Sequence, residues 1–315
     1  MKKISFVIPC YGSEKTISFV IDEITQKMKE RENDFNYEII AVNDCSPDNV
    51  WSVLLNVHDK NPRVKLLEMA RNMNRPGAVM AGLNNVSGDI AIVMDDDGQC
   101  PMDSLWELVA PIEQGEVDVS MAKYPERKQS LFKDFGTIVN KRMTEYILDK
   151  PRHLDFTNFM AIRRNVVNEM VKYQNPYPYM TGLLLRSTKH IVNVSMEERS
   201  RHDGKSTTFT FAKLLGLWMN GLTAFSVKPL RLSSLLGFIF AMAGFTFGLY
   251  LIIRKIIHPQ VEVGYSSIMA GIVIIGGLIM LMLGIMGEYL GRIYICLNKS
   301  PQYVVRERIG FEEGK

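Results

Sequence analysis

Residues 232–253 and 268–287 contain no charged side chain. Each stretch is about 20 residues long, enough to cross roughly 30 Å of hydrocarbon as a helix. A soluble fold would have to bury both as core helices, and a chain of 315 residues leaves too little to surround them. Two membrane spans are therefore expected, forming a hairpin over residues 232–290. Lys228 and Arg231 precede the first stretch, and Arg292, Lys299, Arg306 and Arg308 follow the second, whereas the connecting loop holds only Arg254 and Lys255. That bias places both termini and the N-terminal domain in the cytoplasm, and residues 291–315 read as a cytoplasmic tail. Lys2 and Lys3 precede only a short apolar run before Pro9, so the N-terminus does not read as a signal peptide.

The first third of the chain alternates between two periods. Residues 3–10, 37–42, 64–69 and 90–94 read as strands, and residues 14–31 and 77–85 as helices, with Ser46 capping a further helix whose first position is Pro47. Repeated β-α-β units imply an α/β fold with a parallel, doubly wound sheet. Residues 117–122, 153–162 and 191–196 continue the strand pattern, and residues 135–148 and the turn opening at Arg163 read as helical. Residues 123–133 form a basic stretch with no clear period. Phe209, Phe211, Leu214, Leu215, Leu217, Trp218, Leu222 and Phe225 spread over one wide face, the pattern of an amphipathic helix. Its place before a membrane span favours the interface, where Trp is enriched, and makes residues 206–231 an interfacial region after an N-terminal domain of residues 1–205.

The fourth strand runs into Asp95-Asp96-Asp97-Gly98-Gln99-Cys100-Pro101. Three adjacent carboxylates repel one another, and burying them unpaired is costly unless a cation intervenes. In extended backbone Asp95, Asp97 and Gln99 point the same way and offer oxygen ligands suited to Mg²⁺ or Mn²⁺. A solvated acidic turn capping the next helix satisfies the same residues, so the loop is decided by its surroundings. Ligands of parallel sheets bind beyond the strand carboxyl ends. The polar segments 9–14, 43–46 and 95–99 all fall there. The net charge of +3 argues against a nucleic-acid partner. Cys10, Cys45, Cys100 and Cys296 lack metal or disulfide spacing and read as small inert side chains of a reducing compartment.

Taken in order, the motifs resemble those of the membrane-bound polyprenyl-phosphate glycosyltransferases of glycosyltransferase family 2. Phe6-Val7-Ile8-Pro9-Cys10-Tyr11 is similar to the family's opening strand and loop, and Val42-Asn43-Asp44-Cys45-Ser46-Pro47-Asp48 to its V-N/D-D-x-S-x-D segment. Ala70-Arg71-Asn72 with Gly77 resembles the R-N-x-G run, residues 94–101 the D-x-D-x-Q-x-P loop, and residues 287–294 (GEYLGRIY) the segment after the second span. The resemblance implies a GT-A fold and inverting transfer of a sugar from a nucleotide-sugar to a polyprenyl phosphate such as undecaprenyl phosphate. By that match Pro9, Tyr11, Glu14, Asp44 and Arg71 hold the nucleoside. Asp95, Asp97 and Gln99 hold Mg²⁺ or Mn²⁺ on the diphosphate. Asp155, Asp96, Arg127 and Arg201 form the catalytic set, and Lys133, Arg201 and Lys205 meet the acceptor phosphate. The bacterial branch favours UDP over GDP, and its members are often oligomeric. Two departures stand out: Gly204-Lys205-Ser206-Thr207-Thr208 has threonine where the family's G-x-S-K-Y has lysine, and Cys100 replaces the acid of D-L-Q-D-P. A processive polysaccharide synthase is disfavoured by the absence of Q-x-x-R-W and by too few spans. A non-catalytic nucleotide-sugar sensor is disfavoured by the intact acidic triplet and Asp155.

Overall fold

Residues 4–10 form an uninterrupted buried run, and a strand apolar on both faces belongs in the middle of a covered sheet. In the computed structural model, which describes residues 1–125, 150–151, 153–197, 199, 228–257, 264–298 and 300–311, β1 (Lys2–Cys10) takes that place. It pairs in parallel with β2 (Phe35–Asn43) on one side and β4 (Ile90–Val93) on the other, so that Phe6 lies opposite both Ile39 and Ile92. β3 (Val64–Met69) extends the parallel set beyond β2. Beyond β4, β6 (Met160–Arg163) runs antiparallel, followed by β5 (Val119–Lys123) and β7 (Ile191–Ser195). The sheet order is β7-β5-β6-β4-β1-β2-β3-β8, with β8 (Val305–Ile309) at the far edge. The α/β layering expected from the alternating periods is present.

Helices cover both faces. α1 (Ile17–Lys29) buries Ile17, Val20, Ile21, Ile24 and Met28, the spacing of a single helical stripe. Each such side chain contributes about 1.5–3 kcal/mol of transfer free energy as an upper figure. α2 (Val50–Lys60) starts three residues later than its Pro47 signal, because the Ser46 hydroxyl is engaged elsewhere: it accepts from the Gly12 N–H at 2.7 Å and donates to Asp48. α3 (Asn74–Leu83) packs close to β1, and a Cβ at Gly82 would come within 2.3 Å of Val7 Cγ1. Only glycine permits that approach. α4 (Leu105–Glu113) follows one 3-10 turn, and the shorter α5 (Arg164–Met170) and α6 (Met180–Ser187) complete the described helices of this unit.

One expectation is corrected. The strand read over residues 153–162 begins only at Met160, because the Asn193 side chain takes the place of a neighbouring strand at Asp155: its amide donates to the Asp155 carbonyl at 2.7 Å and its oxygen accepts the Asp155 N–H at 2.8 Å. Residues 291–311, within the segment read as a cytoplasmic tail, carry regular structure. Helix continues to Leu297, and β8 then pairs antiparallel with β3, while the buried Gln302 amide donates to the carbonyls of Tyr173 and Asn175. β3 would otherwise present an open edge of unpaired backbone groups. The expected helices at 135–148 and 209–225, and nearly all of the 123–133 stretch, lie outside the described residues.

The chain divides into two units, Met1–Leu215 with Lys299–Lys315, and Gly216–Asn298. The second contains α7 (Lys228–Ile257) and α8 (Tyr265–Leu297), which contact each other. Among the described residues one helical stretch, Ile274–Leu297, is long and apolar enough to cross a membrane, and none of its most apolar window is buried. The apolar part of α7, Gly237–Tyr250, is shorter.

One carboxylate ties the sheet together below the site. Glu38, 2% exposed, accepts from the Ser5 hydroxyl at 2.6 Å, the Ser87 N–H at 2.7 Å, Lys3 at 3.0 Å and Lys65 at 2.9 Å. Burial alone would raise its pKa, but the Ser5 hydroxyl, Lys65, the Ser87 N–H and Lys3 outweigh it and hold the group at about 2. A depressed carboxylate contributes stability that is complete above its unfolded pKa and lost as pH falls through the folded one. Glu38→Gln should therefore lower stability at neutral pH by about 2 kcal/mol, because it leaves the two lysines without a counter-charge. Thermal unfolding of the detergent-solubilised protein should show this deficit shrinking as pH drops below about 4.5.

Candidate active site

The carboxyl ends of β1, β2 and β4 meet where the chain leaves β1 toward β2 on one side and β4 on the other, the switch point at which parallel sheets leave a crevice. Three loops converge there and are bonded to one another. The Tyr11 N–H donates to Asp96 Oδ2 at 3.0 Å, joining the β1 and β4 loops. Gly12 at φ +73° donates its N–H to Ser46 Oγ, and the Glu14 N–H donates to Asp48 Oδ2 at 2.9 Å, joining the β1 and β2 loops. The Asn49 N–H returns a bond to the Glu14 carboxylate at 3.3 Å. Burial tends to raise the Asp48 pKa, but the Ser46 hydroxyl and the Glu14 N–H hold it below the usual range.

The three acids of the β4 loop have separate environments. Asp95 is clamped on both oxygens: Arg75 Nε donates to Oδ1 at 2.7 Å and Asn158 Nδ2 to Oδ2 at 2.8 Å. Asp96 turns back under the β1 loop, where burial and the neighbouring charge of Asp95 push its pKa up to about 6 against the pull of Ser13 and the Tyr11 N–H. Asp97 accepts the Gln99 N–H at 3.1 Å, in a turn that needs Gly98 at φ +76°. The Gln99 amide donates to the Arg199 carbonyl at 3.2 Å, and Arg199 reaches Glu23 on α1 at 2.7 Å and also pairs with Asp103. Arg199, beyond β7, is thus stapled to the acidic loop.

Among the described residues, no three His, Cys, Asp or Glu side chains converge as a metal cage. Asp95 and Asp97 with the Gln99 amide fit instead the sparse protein ligation of Mg²⁺ or Mn²⁺, which keep waters and take further oxygens from substrate phosphates. A cationic guanidinium on the same carboxylate fits an anionic ligand beside the ion.

Tyr11, Glu14, Asp44, Asp95, Asp96, Asp97 and Gln99 all lie on the three loops that leave the carboxyl ends of β1, β2 and β4. Pro9 is buried within β1 opposite Val42, so it shapes the strand end. Asp44 is 3% exposed; its side chain accepts the Met73 N–H at 2.7 Å and its carbonyl accepts from the Asn72 amide, and burial pushes its pKa up to about 6. Arg71 is exposed, with Nε on the Met73 sulfur. Asp155, half-buried, pairs with Lys123 at 3.2 Å; Arg163 pairs with Asp118 instead. Cys10 and Cys100 are buried neutral thiols whose pKa values burial raises, whereas Cys45 is exposed at φ +54°. Arg127, Lys133, Arg201 and Lys205 lie outside the described residues. Sequence reasoning missed Arg75, Asn158 and Lys123. A basic residue at the start of the helix after β3 was the available signal for Arg75.

The chain matches the family described as Glycosyl transferase family 2 over residues 5–171 and the GtrB C-terminal hairpin over residues 228–293. An undecaprenyl-phosphate 4-deoxy-4-formamido-L-arabinose transferase from Yersinia pestis (strain Pestoides F) is 30% identical over 316 aligned positions, covering 99% of this chain and 95% of its own. A prophage bactoprenol glucosyl transferase homolog from Escherichia coli (strain K12) is 29% identical, covering 96% and 98%. The fold is that of glucosyl-3-phosphoglycerate synthase from Mycobacterium tuberculosis, whose crystal structure with Mn²⁺ and UDP-glucose superposes with a TM-score of 0.51 at 17% identity over 70% of this chain and 77% of that one. With its GT-A-like sheet, its acidic loop at the switch point and its C-terminal hairpin, the chain belongs to glycosyl transferase family 2 and is related to the bactoprenol and undecaprenyl-phosphate sugar transferases.

Proposed function

We propose that this protein transfers a sugar from a UDP-sugar to a polyprenyl phosphate, undecaprenyl phosphate in a bacterial membrane, with inversion at the anomeric carbon. The product is a lipid-linked sugar for modification of cell-envelope glycans. The observation that carries the reading is the acidic loop, bonded to the β1 loop at the sheet's switch point, on a chain whose C-terminal part matches a membrane hairpin. The names of the relatives support the acceptor, and the Mn²⁺ and UDP-glucose bound to the structural neighbour support the donor. α7 and α8 then both span the membrane, with the catalytic unit and both termini in the cytoplasm. Such an acceptor cannot leave the bilayer, so the site must work at the headgroup level.

In this reading Tyr11, Glu14, Asp44 and Arg71 hold the nucleoside, and Pro9 sets the path of the loop that carries them. Asp95, Asp97 and Gln99 would hold Mg²⁺ or Mn²⁺, which supplies charge neutralisation to the departing nucleoside diphosphate. Asp96 braces the loop from beneath through Tyr11. Arg127, Lys133, Arg201 and Lys205 are assigned to the phosphates of donor and acceptor. The acceptor phosphate has a second pKa near about 6 and is mostly dianionic at neutral pH, so it needs little help from a base. Asp155, paired to Lys123, acts by orienting the acceptor and by stabilising positive charge at the anomeric carbon.

The direct test is transfer of radiolabelled sugar from a panel of UDP- and GDP-sugars into lipid-extractable product. Product should depend on undecaprenyl phosphate, vanish with EDTA and return with Mg²⁺ or Mn²⁺. Absence of glycolipid with every donor would leave only a non-catalytic sensor, and a growing polymer would make the chain a processive synthase. Asp155→Asn should lower kcat about a hundredfold, while the pH–rate profile keeps the acid limb of the acceptor phosphate; loss of that limb would make Asp155 the base. Asp44→Asn separates stability from binding. The Asp44 pKa is raised from 3.8 to about 6, so its ionised form costs stability that grows as pH rises through that window and is constant above it. The amide keeps an acceptor for the Met73 N–H and removes the charge. The variant should melt higher at about pH 8 and lose this advantage below about pH 4, while its donor KM rises about tenfold through a lost charged hydrogen bond.

A further inference from the structure

Three buried side-chain nitrogen or oxygen atoms among the described residues have no hydrogen-bond partner: Ser13 Oγ, Arg163 Nε and Arg75 Nη2. The first lies against Asp96 and Cys10, and the second is 3.6 Å from Asp118. Arg75 Nη2 belongs to the guanidinium that donates through Nε to Asp95 Oδ1 at 2.7 Å. An unpaired buried donor costs about 1–3 kcal/mol, more on a charged group. Here it sits on the carboxylate that the donor reading assigns to the metal.

Two cations cannot share one carboxylate oxygen without strong repulsion. With Arg75 on Oδ1 and Asn158 on Oδ2, both oxygens of Asp95 are already taken by the chain itself. Each carboxylate oxygen offers two lone-pair sites, so a metal can join Asp95 beside the neutral Asn158 amide, but beside Arg75 it meets a like charge, and that repulsion favours release of the guanidinium. The displaced guanidinium carries a planar fork of N–H groups, and its best new partner is the pair of oxygens on a phosphate. Its present seat is incompletely satisfied, which lowers the cost of leaving it.

We infer that Arg75 is a place-holding cation for the acidic loop: it holds Asp95 when no metal is bound and passes to a phosphate of the nucleoside diphosphate when metal takes the carboxylate. The inference rests on the proposed nucleotide-sugar reading and adds a positioning residue that couples the two ligands. Metal alone binds weakly because its charge opposes the Arg75 guanidinium on Asp95 and nothing is there to receive that guanidinium. Metal and nucleoside diphosphate together bind cooperatively, because the phosphate receives it, and the coupling is reciprocal.

The test measures Mn²⁺ binding to the full chain in detergent by electron paramagnetic resonance of free Mn²⁺, with and without UDP. The wild-type protein should bind Mn²⁺ about tenfold more tightly with UDP present, within the usual range for such coupling. Arg75→Gln should bind Mn²⁺ alone more tightly and UDP with Mn²⁺ more weakly, so that the coupling falls toward onefold. Arg75→Lys should keep part of it. Asn158→Ala, which removes a neutral donor and leaves the cation in place, should preserve the coupling. If the wild-type protein binds no Mn²⁺ and UDP together, the donor reading fails and the inference with it. If it binds both and Arg75→Gln leaves the coupling intact or weakens Mn²⁺ alone, with an unchanged circular dichroism spectrum, only the role of Arg75 fails.

Discussion

The parallel pairing of β1 between β2 and β4 is the constraint from which the rest follows. Because Phe6 is in register with both Ile39 and Ile92, the strands end together and their loops emerge side by side. A side chain changes face with a one-residue slip. Such a slip would separate the Tyr11 N–H from Asp96 and Gly12 from Ser46, the two bonds that join the loops. The buried Glu38 holds this register from within the sheet, drawing Ser5 of β1, Lys65 of β3 and the turn before β4 onto one side chain. The site stands on a charge cluster that is satisfied, whereas burial holds two of its own acids, Asp44 and Asp96, above the usual carboxylate range.

That contrast is physically informative. Glu38 is held far below the ordinary carboxylate range, as a group with enough donors should be. Asp44 and Asp96 are held above it, because burial exceeds what their backbone donors return. Carboxylates kept under-compensated, a guanidinium with a vacant N–H and an acidic triplet on a glycine turn are features that a fold optimised for stability alone would lack. They concentrate at the carboxyl edge of the sheet.

The C-terminal segment changes what the hairpin means for the catalytic unit. After α8 the chain returns to the sheet as β8 on β3, with Gln302 bonded to the segment that follows α5 and the Val304 carbonyl accepting the Ala70 N–H just before Arg71. Residues 302–309 therefore brace the loop that carries Arg71 and opens α3.

Much of this was readable in one dimension. Strand and helix periods, the exclusion of charge from residues 232–253 and 268–287, and the sequence of the acidic loop are local properties, and local periodicity reports burial directly. The convergence of three loops followed from the β-α-β alternation, since parallel strands must end on one edge. What the sequence left open depends on contacts between distant segments. Arg75 meets Asp95 across 20 residues, Asn158 meets it across 63, and Gln99 meets Arg199 across 100. Asn193 replaces a strand at Asp155 with one side chain, and β8 joins a strand more than two hundred residues earlier in the chain. Composition and spacing determined that this chain has a covered α/β sheet, an acidic loop at its edge and apolar C-terminal helices. Only the tertiary structure decided which acid is clamped, which is buried and which cation waits on it, because burial and pairing are properties of the assembled neighbours.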